Sequence, residues 1–104
     1  MKKDLLKLLD LTSEDILEIL DTADRLKAMK KAGIPHPFLE GKTLAMIFEK
    51  SSTRTRVSFE TGIYQLGGNA IYLSDKDSQI GRNEPVQDTA RVLSWVCDGI
   101  MIRT

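Results

Sequence analysis

The sequence predicts an α/β fold, a parallel sheet flanked by helices. Three observations carry that expectation. An apolar run, Thr43 to Phe48, precedes residues at helical spacing, Phe59, Ile63 and Leu66. A second run, Asn69 to Leu73, precedes another helical stripe. A third run, Ile100 to Ile102, follows that stripe. Strands alternating with helices need crossover connections, and these give a parallel sheet with right-handed crossovers. The expected order is βαβαβ after an N-terminal helix.

The elements can be justified in turn. Leu5, Leu8 and Leu9 suggest a helical turn in a short run. Thr12 has the character of an N-cap, with Glu14 and Asp15 in the first turn, where the helix dipole favours acids. Ile16, Ile19, Leu20, Ala23 and Leu26 mark one apolar face. Lys27, Lys30 and Lys31 suit the last turns, and Gly33 is a natural stop. Pro35-His36-Pro37 is a loop, and His36, the only histidine, reads as a surface loop residue.

Gly41 opens the first strand, Thr43 to Phe48, and Gly67-Gly68 closes the helix that follows. The second strand is Asn69 to Leu73, and Ser74 to Asn83 is a polar loop. Pro85 suits the first position of a helix whose apolar face is Val86, Thr89, Ala90, Leu93, Val96 and Cys97. Trp95 falls on the other face, with Asp88, Arg91 and Val92, and is expected to be partly exposed. Asp98-Gly99 breaks the helix before the last strand, at whose end stand Arg103 and Thr104.

Chemistry concentrates at Lys50-Ser51-Ser52-Thr53-Arg54-Thr55-Arg56, a strand-to-helix turn with Ser or Thr at the N-cap. A helix N-terminus leaves backbone N–H groups unpaired and carries partial positive charge. One hydroxyl and one Arg there would be a cap and a solvated side chain. Here four hydroxyls interleave with Arg54 and Arg56, where the dipole would favour Asp or Glu. An anion, phosphate above all, resolves that conflict. Neither the Gly-x-x-x-x-Gly-Lys phosphate loop nor the dinucleotide-binding Gly pattern is present. In open parallel sheets ligands bind beyond the carboxyl ends of the strands. The 52–56 turn, the loop from Ser74 and Arg103 would meet there, although Arg103 reads equally as a solvated chain end.

At 104 residues the chain is at most one modest domain. Hydrophobic content of 41% and charged content of 29% fit a soluble globular chain. Fifteen basic residues balance fifteen acidic ones, which argues against a nucleic-acid binder. No apolar run is long enough to span a membrane, and no signal-peptide core opens the chain. The lone Cys97 excludes an internal disulfide and suits a reducing cytoplasm.

The stretch from Phe48 to Arg56 resembles the Ser-x-Arg-Thr-Arg signature of the aspartate and ornithine carbamoyltransferases. Gly67-Gly68, Asp88-Thr89-Ala90-Arg91-Val92-Leu93-Ser94 and Ile100-Met101-Ile102-Arg103 follow in the order of that family, so the resemblance runs from Leu5 onward. The loop Gln79-Ile80-Gly81-Arg82 is similar to the ornithine branch, where aspartate enzymes usually carry a lysine that Arg82 does not replace.

The resemblance implies a carbamoyl phosphate-binding domain over residues 1–104, incomplete, with the amino-acid-binding domain and the family's His-Pro-x-Gln motif absent. It implies that Ser52, Thr53 and Thr55 hold the phosphate and that Arg54 pairs with its oxygens, including the bridging one. Thr55 and Arg103 would contact the carbamoyl oxygen. Gln79, by itself a solvated loop amide, would reach carbamoyl phosphate from an adjacent chain of a trimer. Arg56 would hold the turn through ion pairs. The implied catalytic residues are Arg54, Thr55 and Arg103, with no metal and no cofactor. The implied activity is transfer of the carbamoyl group to the δ-amine of ornithine, in arginine metabolism, by a cytoplasmic trimer-based homo-oligomer. This chain alone would not turn over ornithine. The alternatives are an aspartate carbamoyltransferase fragment and a non-catalytic phosphate-binding or interaction module.

Overall fold

A computed structural model describes residues 4–74 and 86–104. Two compact units divide the chain, 1–36 and 37–104. Beyond Ser74 the expected polar loop, and Pro85 with it, lies outside the described residues.

The first unit holds a short 3-10 turn, Leu8–Asp10, and one long helix, α1 (Ser13–Lys31). Thr12 caps α1 as expected: its Oγ1 accepts from the Asp15 N–H at 3.0 Å, and Asp15 Oδ2 accepts from the Thr12 N–H at 3.1 Å. At the far end Gly33 takes φ 69°, which lets the Ile34 N–H reach the Met29 carbonyl at 3.0 Å. The apolar face expected to point inward is not buried. No residue of α1 is buried, and Ile19 and Leu20 are exposed. Within its own unit α1 has no second layer to cover that face. His36 sits in the following loop, where its Nδ1–H donates to the Ile34 carbonyl at 2.7 Å.

The second unit has the expected alternation: β1 (Thr43–Phe48), α2 (Thr53–Gln65), β2 (Asn69–Ser74), α3 (Val86–Val96) and β3 (Gly99–Arg103). All pairings are parallel, in the order β2-β1-β3. The chain therefore steps from β1 to one side and then back across β1 to the other. Right-handed crossovers in opposite directions put α2 and α3 on opposite faces of the sheet. The central strand is covered on both, and Ala45, Met46, Ile47 and Phe48 are all buried. Burying a side chain the size of Phe48 contributes about 1.5–3 kcal/mol. Ile63 of α2 completes the core.

Three apolar assignments need correction. Phe59 is exposed and lines an open groove with Leu39, Leu44, Ile63 and Leu66. Ala90 and Val96 of α3 are exposed as well, and its inward stripe is Thr89, Leu93 and Cys97. Those three are spaced by four; Val86 of the expected face lies outside the described side chains. Trp95 is 74% exposed, as expected from its place opposite the stripe.

Two glycines shape the end of α2. Gly67, at φ 90°, donates to the Tyr64 carbonyl at 3.0 Å, and Gly68 donates to the Ile63 carbonyl at 2.9 Å. Gly68 also passes close to β1: a methyl group there would stand 2.8 Å from the Lys42 carbonyl oxygen. At the same end of the sheet Asp98 starts β1, its Oδ2 accepting from the Thr43 N–H at 2.9 Å.

Candidate functional site

The site is built from the carboxyl end of β1 upward. Phe48 pairs with Ser74 of β2 and with Arg103 of β3, so the three strands end on one level. The chain then leaves β1 through Glu49, Lys50 and Ser51 and enters α2 at Ser52.

Ser52 is extended, with φ −154° and ψ 100°. Its Oγ accepts from the Thr55 N–H at 3.4 Å and donates to Thr55 Oγ1 at 3.0 Å. Its carbonyl accepts from the Arg56 N–H at 3.0 Å. The two polar side chains that fix the turn, Ser52 and Thr55, are half-buried, while Thr53 and Arg54 are exposed. The N–H groups of Thr53 and Arg54 stand ahead of the first helical carbonyl and have no intrahelical partner. They face the region beyond the strand ends with the positive end of the dipole behind them. The first turn of α2 carries no acidic residue.

The two arginines of the turn have different surroundings. Arg56 Nε donates to Glu60 Oε1 at 2.8 Å, and the guanidinium carbon lies 3.7 Å from the centre of the Tyr72 ring. The hydrogen bond to Glu60 holds the Arg56 guanidinium above the usual arginine value, with the charges of Glu60 and Tyr72 adding to it against some desolvation. Its charge is thus offset inside the scaffold, as the expectation of an ion pair required. Among the described residues Arg54 makes no ion pair. It is the arginine of the turn left for an anion from outside.

Arg103 arrives at the same level by its backbone. The Glu49 N–H donates to its carbonyl at 2.8 Å, and its guanidinium donates to the Thr104 carbonyl. Ser52, Thr53, Arg54 and Thr55 therefore form one turn, with Arg103 joined to the segment that leads into it. Gln79 lies outside the described residues. The sequence reading missed Glu60 and Tyr72 as partners of Arg56. The four-residue spacing of Arg56 and Glu60 was a usable signal. The ring contact was not, because it depends on the register of β2 against β1.

Such an arrangement offers backbone N–H groups, hydroxyls and an unpaired guanidinium to a tetrahedral anion, with a second guanidinium one strand away. Among the described residues no three His, Cys, Asp or Glu side chains are grouped to hold a metal ion.

Comparison with known proteins points the same way. Residues 3–104 match the family model described as aspartate/ornithine carbamoyltransferase, carbamoyl-P binding domain. The ornithine carbamoyltransferase of Methanocorpusculum labreanum is 59% identical over 104 residues, which are 100% of this chain and 34% of that protein. The structure of ornithine carbamoyltransferase from Pyrococcus furiosus superimposes with a TM-score of 0.93 at 57% identity, covering 97% of this chain and 32% of that one. The catalytic subunit of M. jannaschii aspartate transcarbamoylase superimposes with a TM-score of 0.87 at 42% identity, covering 98% and 34%. The chain thus spans about a third of the length of the relatives it matches.

Proposed function

This chain belongs to the aspartate/ornithine carbamoyltransferase family, and from that membership we propose that it is the carbamoyl phosphate-binding part of an ornithine carbamoyltransferase. The observation that carries the reading is the Ser52-capped start of α2, where an unpaired Arg54 stands in a first turn without acids. The relatives named ornithine carbamoyltransferase support the choice of amino acid.

In this reading the N–H groups and hydroxyls of Ser52, Thr53 and Thr55 hold the phosphate. Arg54 pairs with its oxygens, including the bridging oxygen that leaves. Thr55 and Arg103 meet the carbamoyl oxygen. The uncharged δ-amine of ornithine attacks the carbamoyl carbon, a C–N bond forms, and the C–O bond to phosphate breaks. The nitrogen sheds a proton, and citrulline and inorganic phosphate result. Negative charge grows first on the carbamoyl oxygen and then on the phosphate. Donors already fixed at both places lower the barrier without having to reorganise. Gln79 reaches the ligand from an adjacent chain of a trimer. The setting is arginine metabolism in the cytoplasm. No helix among the described residues is long and apolar enough to cross a membrane.

A second reading, an aspartate carbamoyltransferase, is favoured by the likeness to the M. jannaschii enzyme. An assay of the whole enzyme of which this reading makes the chain a part, with carbamoyl phosphate and each amino acid in turn, separates the two. Citrulline from ornithine is the expected product. Carbamoyl aspartate alone would favour the second reading, and neither product would overturn both.

A further inference from the structure

We propose that Tyr72 is a positioning residue for the anion turn, holding the start of α2 in place through the guanidinium of Arg56. This rests on the reading of that turn as a phosphate site and adds to it a residue with no place in the sequence motif. Four side chains form a continuous stack from the core to the turn. Phe48, 2% exposed, anchors it at the end of β1. The Tyr72 ring lies 5.2 Å from the Phe48 ring, tilted by 44°. The Arg56 guanidinium carbon lies over the Tyr72 ring, 3.7 Å from its centre, and Glu60 closes the stack through its 2.8 Å bond to Arg56 Nε.

The placement of this stack gives it a role. Arg56 stands where its own N–H bonds the Ser52 carbonyl, so fixing Arg56 fixes the residue that caps the helix. Tyr72 is two residues before the end of β2. Besides this stack, the start of α2 follows the end of β1 through Glu49, Lys50 and Ser51, all of them exposed. Donors aimed at an anion lose most of their effect when displaced by about 1 Å. The stack also accounts for a second arginine in a turn whose dipole disfavours it: the Tyr72 face and Glu60 absorb its charge.

The experiment titrates the full chain with inorganic phosphate by calorimetry and records thermal unfolding alongside. The variants are Tyr72→Leu, Tyr72→Phe, Arg56→Lys, Arg56→Gln and the double Tyr72→Leu/Arg56→Gln. Tyr72→Leu is expected to weaken phosphate binding about threefold, the scale of one exposed cation–π contact. Tyr72→Phe keeps the π face and restores wild-type binding. Arg56→Lys keeps the charge but cannot bond Glu60 and cover the ring together, so it also weakens binding. The double variant is expected to be no weaker than Arg56→Gln. A folded Tyr72→Leu that binds as the wild type does, or losses that multiply in the double variant, overturns the proposal. If Tyr72→Leu does not fold, Arg56→Lys decides: Arg56 is a surface side chain, and wild-type affinity in that variant overturns the proposal equally. A wild-type chain without phosphate affinity would instead refute the underlying reading of the turn.

Discussion

The backbone N–H of Glu49 donates a 2.8 Å hydrogen bond to the carbonyl of Arg103. The parallel ladder thereby runs one residue past the end of β1, and the last strand is fastened to the segment that leads into the Ser52–Arg56 turn. An arginine on one strand and a helix start reached from the next are held in register by backbone alone.

Arg103 and Arg54 are assigned to different parts of one ligand, and that division can be measured. Arg103→Ala is expected to weaken carbamoyl phosphate binding about tenfold, the scale of one charge-assisted hydrogen bond. Binding of inorganic phosphate should hardly change, because it lacks the carbamoyl oxygen. Calorimetric titration with both ligands checks this, and equal losses would mean that Arg103 serves the phosphate.

Gly68 is a packing requirement. A Cβ there would lie 2.8 Å from the Lys42 carbonyl oxygen and 3.0 Å from the Ile63 side chain. Backbone cannot yield as a flexible side chain does, so Gly68→Ala is expected to destabilise the chain by about 1–3 kcal/mol. Gly62→Ala is the control, since a Cβ there meets nothing within 4 Å. Denaturant unfolding of both variants gives the comparison.

Asp98 closes the opposite end of the sheet. Its Oδ2 accepts from the Thr43 N–H at 2.9 Å, and its own N–H returns a bond to the Thr43 carbonyl. Lys42, 4.0 Å from Oδ1, is exposed and contributes little. Asp98→Ala is expected to cost about 1 kcal/mol through the orphaned Thr43 donor, and Asp98→Asn less, because an amide oxygen still accepts. Denaturant midpoints of the two variants measure the difference.

Much of this architecture was legible in local signals. The apolar runs marked the three strands, and Thr12, Gly33, Ser52 and Gly67 marked helix ends that the structure realises in detail. The Ser52–Arg56 turn stood out because its charges contradict what a helix start favours. Other features depended on distant neighbours. Periodicity could not show that Val96 and Phe59 are exposed, because exposure follows from what packs against each residue in three dimensions. The contact between Arg56 and Tyr72 joins residues sixteen apart. Only the register that sets Tyr72 against Met46 brings them together.

The most direct test is calorimetric titration of carbamoyl phosphate into the wild-type chain and into Arg54→Ala. Arg54 is exposed and makes no ion pair among the described residues, so its removal should leave the fold intact. Loss of its charge-assisted bonds, about 1.5–3 kcal/mol, is expected to weaken binding at least tenfold. Arg54→Lys should recover only part of that loss, because one ammonium cannot reproduce the guanidinium fork. A folded Arg54→Ala variant that binds carbamoyl phosphate as tightly as the wild type would contradict the account.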